Sequence, residues 1–110
     1  MPTDWLFITE DPQGRRVGLR EATLLDHILP FHPGVTPEWV REIIERPSWI
    51  VANEAHGSIN YVGQLRAHFF RLVAAKPNQQ GDPPWVVATA YPKAVLPRSG
   101  RILWKRPARP

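Results

Sequence analysis

The chain has 110 residues, no cysteine and a formal charge of +4. That length supports a single hydrophobic core, and the lack of cysteine excludes disulfide frameworks, thiolate zinc sites and a thiol nucleophile. The charge is unevenly spread: residues 97–110, PRSGRILWKRPARP, hold Arg98, Arg101, Lys105, Arg106 and Arg109 with no acid, so residues 1–96 carry nine basic against ten acidic side chains. A basic end of this kind suits a polyanion, or is simply solvated. No window approaches the roughly 20 apolar residues of a membrane span, and MPTDWLFITEDPQGRR lacks an apolar run of signal-peptide length. The expectation is a cytoplasmic protein with no membrane partner.

In chain order, WLFI at 5–8 is a short β-like run, DPQG is a turn signal, and residues 16–19 pair back as a small hairpin. EATLLDHIL, residues 21–29, sets Ala22, Leu25 and Ile28 or Leu29 at helical spacing, with Pro30 as the stop. Thr36, Pro37 and Glu38 open a second helix, since Thr caps free amides, Pro suits the first turn and Glu favours the positive end. Its apolar stripe is Trp39, Val40, Ile43 and Ile44, and it ends before Pro47. Beyond Pro47 the pattern becomes β-like. Residues 48–52, 58–65, 66–75 and 85–91 read as strands separated by the NEAHG turn and the PNQQGDPP loop, and RILWK after Gly100 as a short fifth strand or ordered tail. Helices followed by strands at hairpin spacing predict an α+β fold, with two N-terminal helices packed on a four- to five-stranded antiparallel sheet. The domain is expected over 1–96, with 97–110 as a basic Pro/Arg-rich tail.

Four histidines raise the question of a metal. His27 and His32 are five apart across Pro30, about 140° on a helical wheel, which is not the i, i+4 spacing of a helical metal clamp. With no cysteine and with His56 in a turn, no metal site and no cofactor is expected. The serines lie in no GxSxG context and the glycines form no phosphate loop.

Metal-free RNA cleavage is a chemistry these residues can supply. It needs a group that takes the 2′-hydroxyl proton, fixed charge on the phosphate, and a proton for the leaving 5′-oxygen. Histidine suits the proton roles and arginine the phosphate. His27 and His32 lie at a helix end. Strand alternation sets Arg66 beside His68, and Thr89 beside Tyr91. Plainer alternatives stand beside each: His27 as a hydrogen-bonded residue at the core edge, His32 bonding a loop carbonyl, Arg66 pairing with an acid such as Glu54, Thr89 as an ordinary strand residue, Tyr91 marking a strand end. Trp39, Trp49 and Trp85 sit in apolar patterns that suit a core. Trp104 lies among Arg101, Lys105 and Arg106, where an aromatic can stack on a base while cations hold phosphate.

The segment DHILPFHPGVTPEWVREIIERPSWIV, followed by INYVG, FFRLVAA and WVVATAYP, resembles the phage-associated branch of the barnase, EndoU, colicin and RelE-like ribonuclease superfamily. The resemblance runs from Leu24 to Pro92. It implies a two-helix segment packed on an antiparallel sheet and RNA cleavage without metal. His27 and His32 match the two helical histidines, and Thr89 with Tyr91 the late strand element. Phe31 stands where a basic residue is more in keeping, and Lys76 sits at a strand end instead of nearer its centre.

The leading expectation is therefore a metal-independent endoribonuclease of toxin or phage RNA-processing type. Its catalytic candidates are His27, His32, Arg66, His68, Thr89 and Tyr91; its RNA-binding candidates are Arg98, Arg101, Trp104, Lys105 and Arg106. RNA is the expected partner, with a cognate immunity or antitoxin protein as a second. Two alternatives stay open: a non-catalytic RNA- or protein-binding module acting through Trp104 and the arginines, and a toxin–antitoxin partner protein using the face of residues 38–45.

Overall fold

The computed structural model describes residues 5–94 and 100–107. It begins with a hairpin of β1 (Trp5–Glu10) and β2 (Arg16–Arg20), joined by the DPQG turn. The Asp11 carboxylate closes that turn by accepting from the backbone amides of Gln13 (2.8 Å) and Arg15 (2.9 Å). Gly14 takes the left-handed backbone, φ 86°, that the reversal requires.

A short helical run follows. It starts as α1 (Glu21–Thr23) and widens into a π-helical turn at Leu24–Ile28, where the Leu29 amide donates to the Leu24 carbonyl five residues back. Leu24 and Ile28 are buried, while Leu25 is half exposed to solvent. The expected stripe of Ala22, Leu25 and Ile28 or Leu29 is thus corrected: Ala22 and Leu25 are exposed, and Leu24 with Ile28 faces inward.

The second helix, α2 (Pro37–Glu45), starts as its residues dictate. Thr36 Oγ1 accepts from the Trp39 amide at 3.1 Å, Pro37 fills the first turn, and Val40, Ile43 and Ile44 are buried. Each of those side chains contributes about 1.5–3 kcal/mol by leaving water. The helix lies on β4, and it lies close. A Cβ at Gly63 would come within 2.4 Å of Ile43 Cδ1, so the glycine is what lets the helix settle there.

The rest is sheet. β3 (Trp49–Asn53), β4 (Ser58–Arg66), β5 (Phe69–Pro77) and β6 (Trp85–Lys93) form an antiparallel meander, and β7 (Arg101–Lys105) pairs antiparallel with β3. The N-terminal hairpin joins on the other side, where β2 runs parallel to β6 through Val17↔Trp85 and Gly18↔Val86. The order is β1-β2-β6-β5-β4-β3-β7. Its ends come together, because Gln13 Nε2 in the β1–β2 turn donates to the Leu103 carbonyl of β7 at 3.1 Å.

One face holds the main core of Val17, Leu19, Ile50, Ile59, Tyr61, Val73 and Val87 with the inward residues of the helices. Alternation along the strands places a smaller cluster on the opposite face: Val62, Phe70 and Leu72, with Trp49, Ala74 and Tyr91 against it.

The expected architecture of two N-terminal helices on a four- to five-stranded antiparallel sheet is thus corrected: the described residues form one seven-stranded mixed sheet carrying short helical segments. Two strands precede the helices, and the parallel β2–β6 pairing has no local signal in the chain. The stretch expected as a tail supplies β7, with Leu103 and Trp104 packed against the core. The expected strand over 66–75 is also corrected: Arg66 ends β4 and pairs with Phe69, and Ala67 and His68 form the turn between β4 and β5.

Candidate functional site

A cleft of about 380 Å³ opens where β2 passes into α1. Arg20, Thr23 and His27 line one part of it, and Lys76 with Asn78 and Gln80, at and just beyond the end of β5, line another. None of its lining residues among those described is acidic. His27 is exposed there. The plainer expectation of a histidine at the core edge does not describe it.

Arg20 is held from two sides. Its guanidinium lies 4.5 Å from the Trp5 ring centroid, and its Nη2 donates to Gln80 Oε1 at 2.8 Å. Arginine has only donors, so this bond takes the oxygen of the Gln80 amide and leaves its NH2 as a further donor at the cleft. Trp5 can lie as it does because residue 18 is glycine; a Cβ there would come within 2.5 Å of Trp5 Cζ3. The PNQQGDPP loop is organised by Asn78, whose Nδ2 donates to the Pro83 carbonyl (2.8 Å) and whose Oδ1 accepts from the Gln80 amide (3.0 Å). Arg16 ties Asp82 of the same loop back to β2. Guanidinium, ammonium, imidazole and amide NH2 thus border one open space with no carboxylate among the described residues that line it, which suits an acceptor-only ligand such as phosphate.

The structure redistributes the other expected catalytic residues. His32 is half-buried and stacks on Tyr91, with ring centroids 5.6 Å apart and planes at 29°. Tyr91 lies opposite Leu72 within the smaller apolar cluster, and Thr89 is half-buried opposite Ala74. Arg66 sits 5.5 Å from the Phe69 ring centroid, and His68 is exposed in the adjoining turn. Phe69 and Lys76 are seven residues apart on β5, about 23 Å at strand spacing. Arg66 and His68 are therefore at one end of that strand and the His27 cleft at the other. The six residues do not form one cluster.

The RNA-binding set is similarly divided. Arg98 lies outside the described residues. Arg101 pairs with Glu54 (3.0 Å), the acid expected as a partner for Arg66. Trp104 is half-buried against the core, Lys105 is exposed, and Arg106 donates to the Arg46 carbonyl. Among the described residues no group of three or more His, Cys, Asp or Glu is placed to hold a metal, and no helix is long and apolar enough to cross a membrane.

Sequence reasoning missed Arg20, Lys76 and Gln80. The available signal was positional: Arg20 stands at a strand-to-helix junction and Lys76 at the mouth of a polar loop, and both places put side chains at the rim of a sheet.

A second polar group is entirely structural. Asp11 is buried and accepts from the Tyr61 hydroxyl at 2.6 Å and from Arg15 Nη1 at 3.1 Å, beside the two amides of its own turn. Burial, and the Asp11 carboxylate beside it, push the Tyr61 hydroxyl far above the usual tyrosine range. Comparison of the chain with protein-family models, with curated proteins and with solved structures gives no match.

Proposed function

We propose that the protein is a metal-independent endoribonuclease, of toxin or phage RNA-processing type, working at the Arg20–His27–Lys76 cleft. One observation carries the reading: an exposed histidine shares a cleft with an arginine held in place and a lysine. The resemblance of residues 24–92 to the barnase, EndoU, colicin and RelE-like ribonucleases supports the same chemistry. Arg20 and Lys76 hold the scissile phosphate and stabilise the charge of its pentavalent state. His27 takes the proton of the 2′-hydroxyl as that oxygen attacks phosphorus in line, and the Lys76 ammonium, on the other part of the cleft, gives a proton to the departing 5′-oxygen. The products are a 2′,3′-cyclic phosphate and a 5′-hydroxyl end. His32 and Tyr91 serve as a brace behind His27, and Arg66 and His68 are left for more distant contacts with the strand. RNA is the partner, in the cytoplasm, with a cognate inhibitor where the activity is toxic.

The test is cleavage of a mixed RNA substrate in the presence of EDTA. Wild type is expected to leave cyclic phosphate ends, and His27→Ala to lose cleavage by about 100-fold or more. Absence of cleavage by wild type, or undiminished cleavage by His27→Ala, overturns the reading.

A further inference from the structure

Phe31 is 75% exposed, the most open large apolar side chain among the described residues. Its backbone is well anchored. The helical run beyond the π turn continues through the Phe31 and His32 amides, both donating to the Ile28 carbonyl (3.1 and 2.8 Å). Phe31 lies four residues beyond His27, about one turn further along the same run, and both side chains are exposed. His32, the next residue, turns the other way and stacks on Tyr91, which fixes the backbone that carries Phe31. Pro30 and Pro33 stiffen it from either side.

We infer that Phe31 is a base-stacking platform, which takes one unpaired nucleobase of a single-stranded RNA whose adjoining phosphate sits in the His27 cleft. The inference rests on the reading of that cleft as a phosphate site, and it adds the substrate class. Phosphate fits the cationic wall, while an apolar ring beside it fits the π face of a base, whichever base that is. A duplex keeps its bases stacked on each other and has none to give. The consequence is preference for single strands with little dependence on sequence at the stacked position.

The experiment uses a single-stranded DNA oligonucleotide carrying 2-aminopurine, which has no 2′-hydroxyl and so cannot be cleaved by the route above. Binding to wild type is expected to quench its fluorescence. Phe31→Ala should bind about tenfold more weakly and abolish the quench, and Phe31→Trp should restore both. Phe31→Leu keeps apolar area without a ring, and should behave as Phe31→Ala. The same strand in a duplex should show neither the affinity nor the quench. Equal binding and quenching by wild type and Phe31→Ala, or full function of Phe31→Leu, overturns the inference. So does a change of sedimentation from dimer to monomer in Phe31→Ala, which makes Phe31 a contact between copies of the chain. If the quench depends on Phe31 but wild type cleaves no RNA, the platform stands and the nuclease reading falls. If RNA is cleaved in a His27-dependent way and Phe31→Ala changes nothing, the reverse holds.

Discussion

The Asp11 centre and the His27 cleft are both built from polar side chains, yet they differ in what remains for a ligand. At Asp11 the carboxylate receives two amides, a guanidinium and a phenol from within the chain, and it is sealed from water. At the cleft, donors outnumber the acceptors offered to them, and His27 and Lys76 face solvent. A polar cluster that completes its own hydrogen bonding holds the fold together; one that leaves donors open is available to a partner.

The contrast is tested most severely at Asp11. Asp11→Ala leaves a buried phenol and two amides without an acceptor and is expected to cost about 3–5 kcal/mol, measured by urea unfolding; RNA cleavage per folded molecule should stay unchanged. His27→Ala should do the opposite, with cleavage reduced by about 100-fold or more and an unfolding midpoint within error of wild type, because the side chain is exposed. If His27→Ala unfolds as readily as Asp11→Ala, the two regions are not different in kind.

Gly18→Ala reaches the cleft through packing. The added methyl collides with Trp5, and the arginine lying on that ring must move, so a decrease of about 1–3 kcal/mol in stability should accompany weaker oligonucleotide binding. Trp5→Phe in the Gly18→Ala background relieves the collision and should recover part of both. Arg20→Ala and Lys76→Ala should each reduce the salt dependence of single-strand binding by about 0.7 in log–log slope for every phosphate left without its cation, whereas Arg66→Ala should leave that slope unaltered for an oligonucleotide too short to reach from the cleft to the far end of β5.

The smallest effect is expected at Glu45, whose carboxyl is held below the usual range by the hydrogen bonds from Thr9 and Arg41. A lowered carboxylate value means that this contribution is present above the ordinary carboxylate range and fades as pH falls through the lowered one. Glu45→Gln should therefore narrow its stability difference from wild type on acidification from pH 7 towards pH 3. A difference that widens reverses the sign of the coupling.

Much of the strand order was legible. The meander follows β-branched and aromatic runs separated by turn residues, and α2 begins at Thr36 as its capping residue dictates. Local pattern reached less far where partners are remote. The parallel pairing of Val17 with Trp85 leaves no periodic trace, and RILWK, with an Ile-Leu-Trp centre flanked by charge, reads equally as a short strand or an ordered tail until its pairing with β3 is seen. His27 was placed at a helix end with a core-edge position left open, and it lies exposed. Arg66 and His68 were joined to it by assuming one regular strand, and the turn at Ala67 and His68 separates them from it by the length of β5. Arg20 and Lys76 meet only through tertiary packing.

That remote pairing also sets an order of assembly. Val17 pairs with Trp85 sixty-eight positions later, so the hairpin bearing Arg20 reaches β6 only by closing a long loop, and long closures of this kind are slow. A ribosome emits Arg20 well before Lys76, so one wall of the cleft waits for the other and the space between them exists only once the two segments have met.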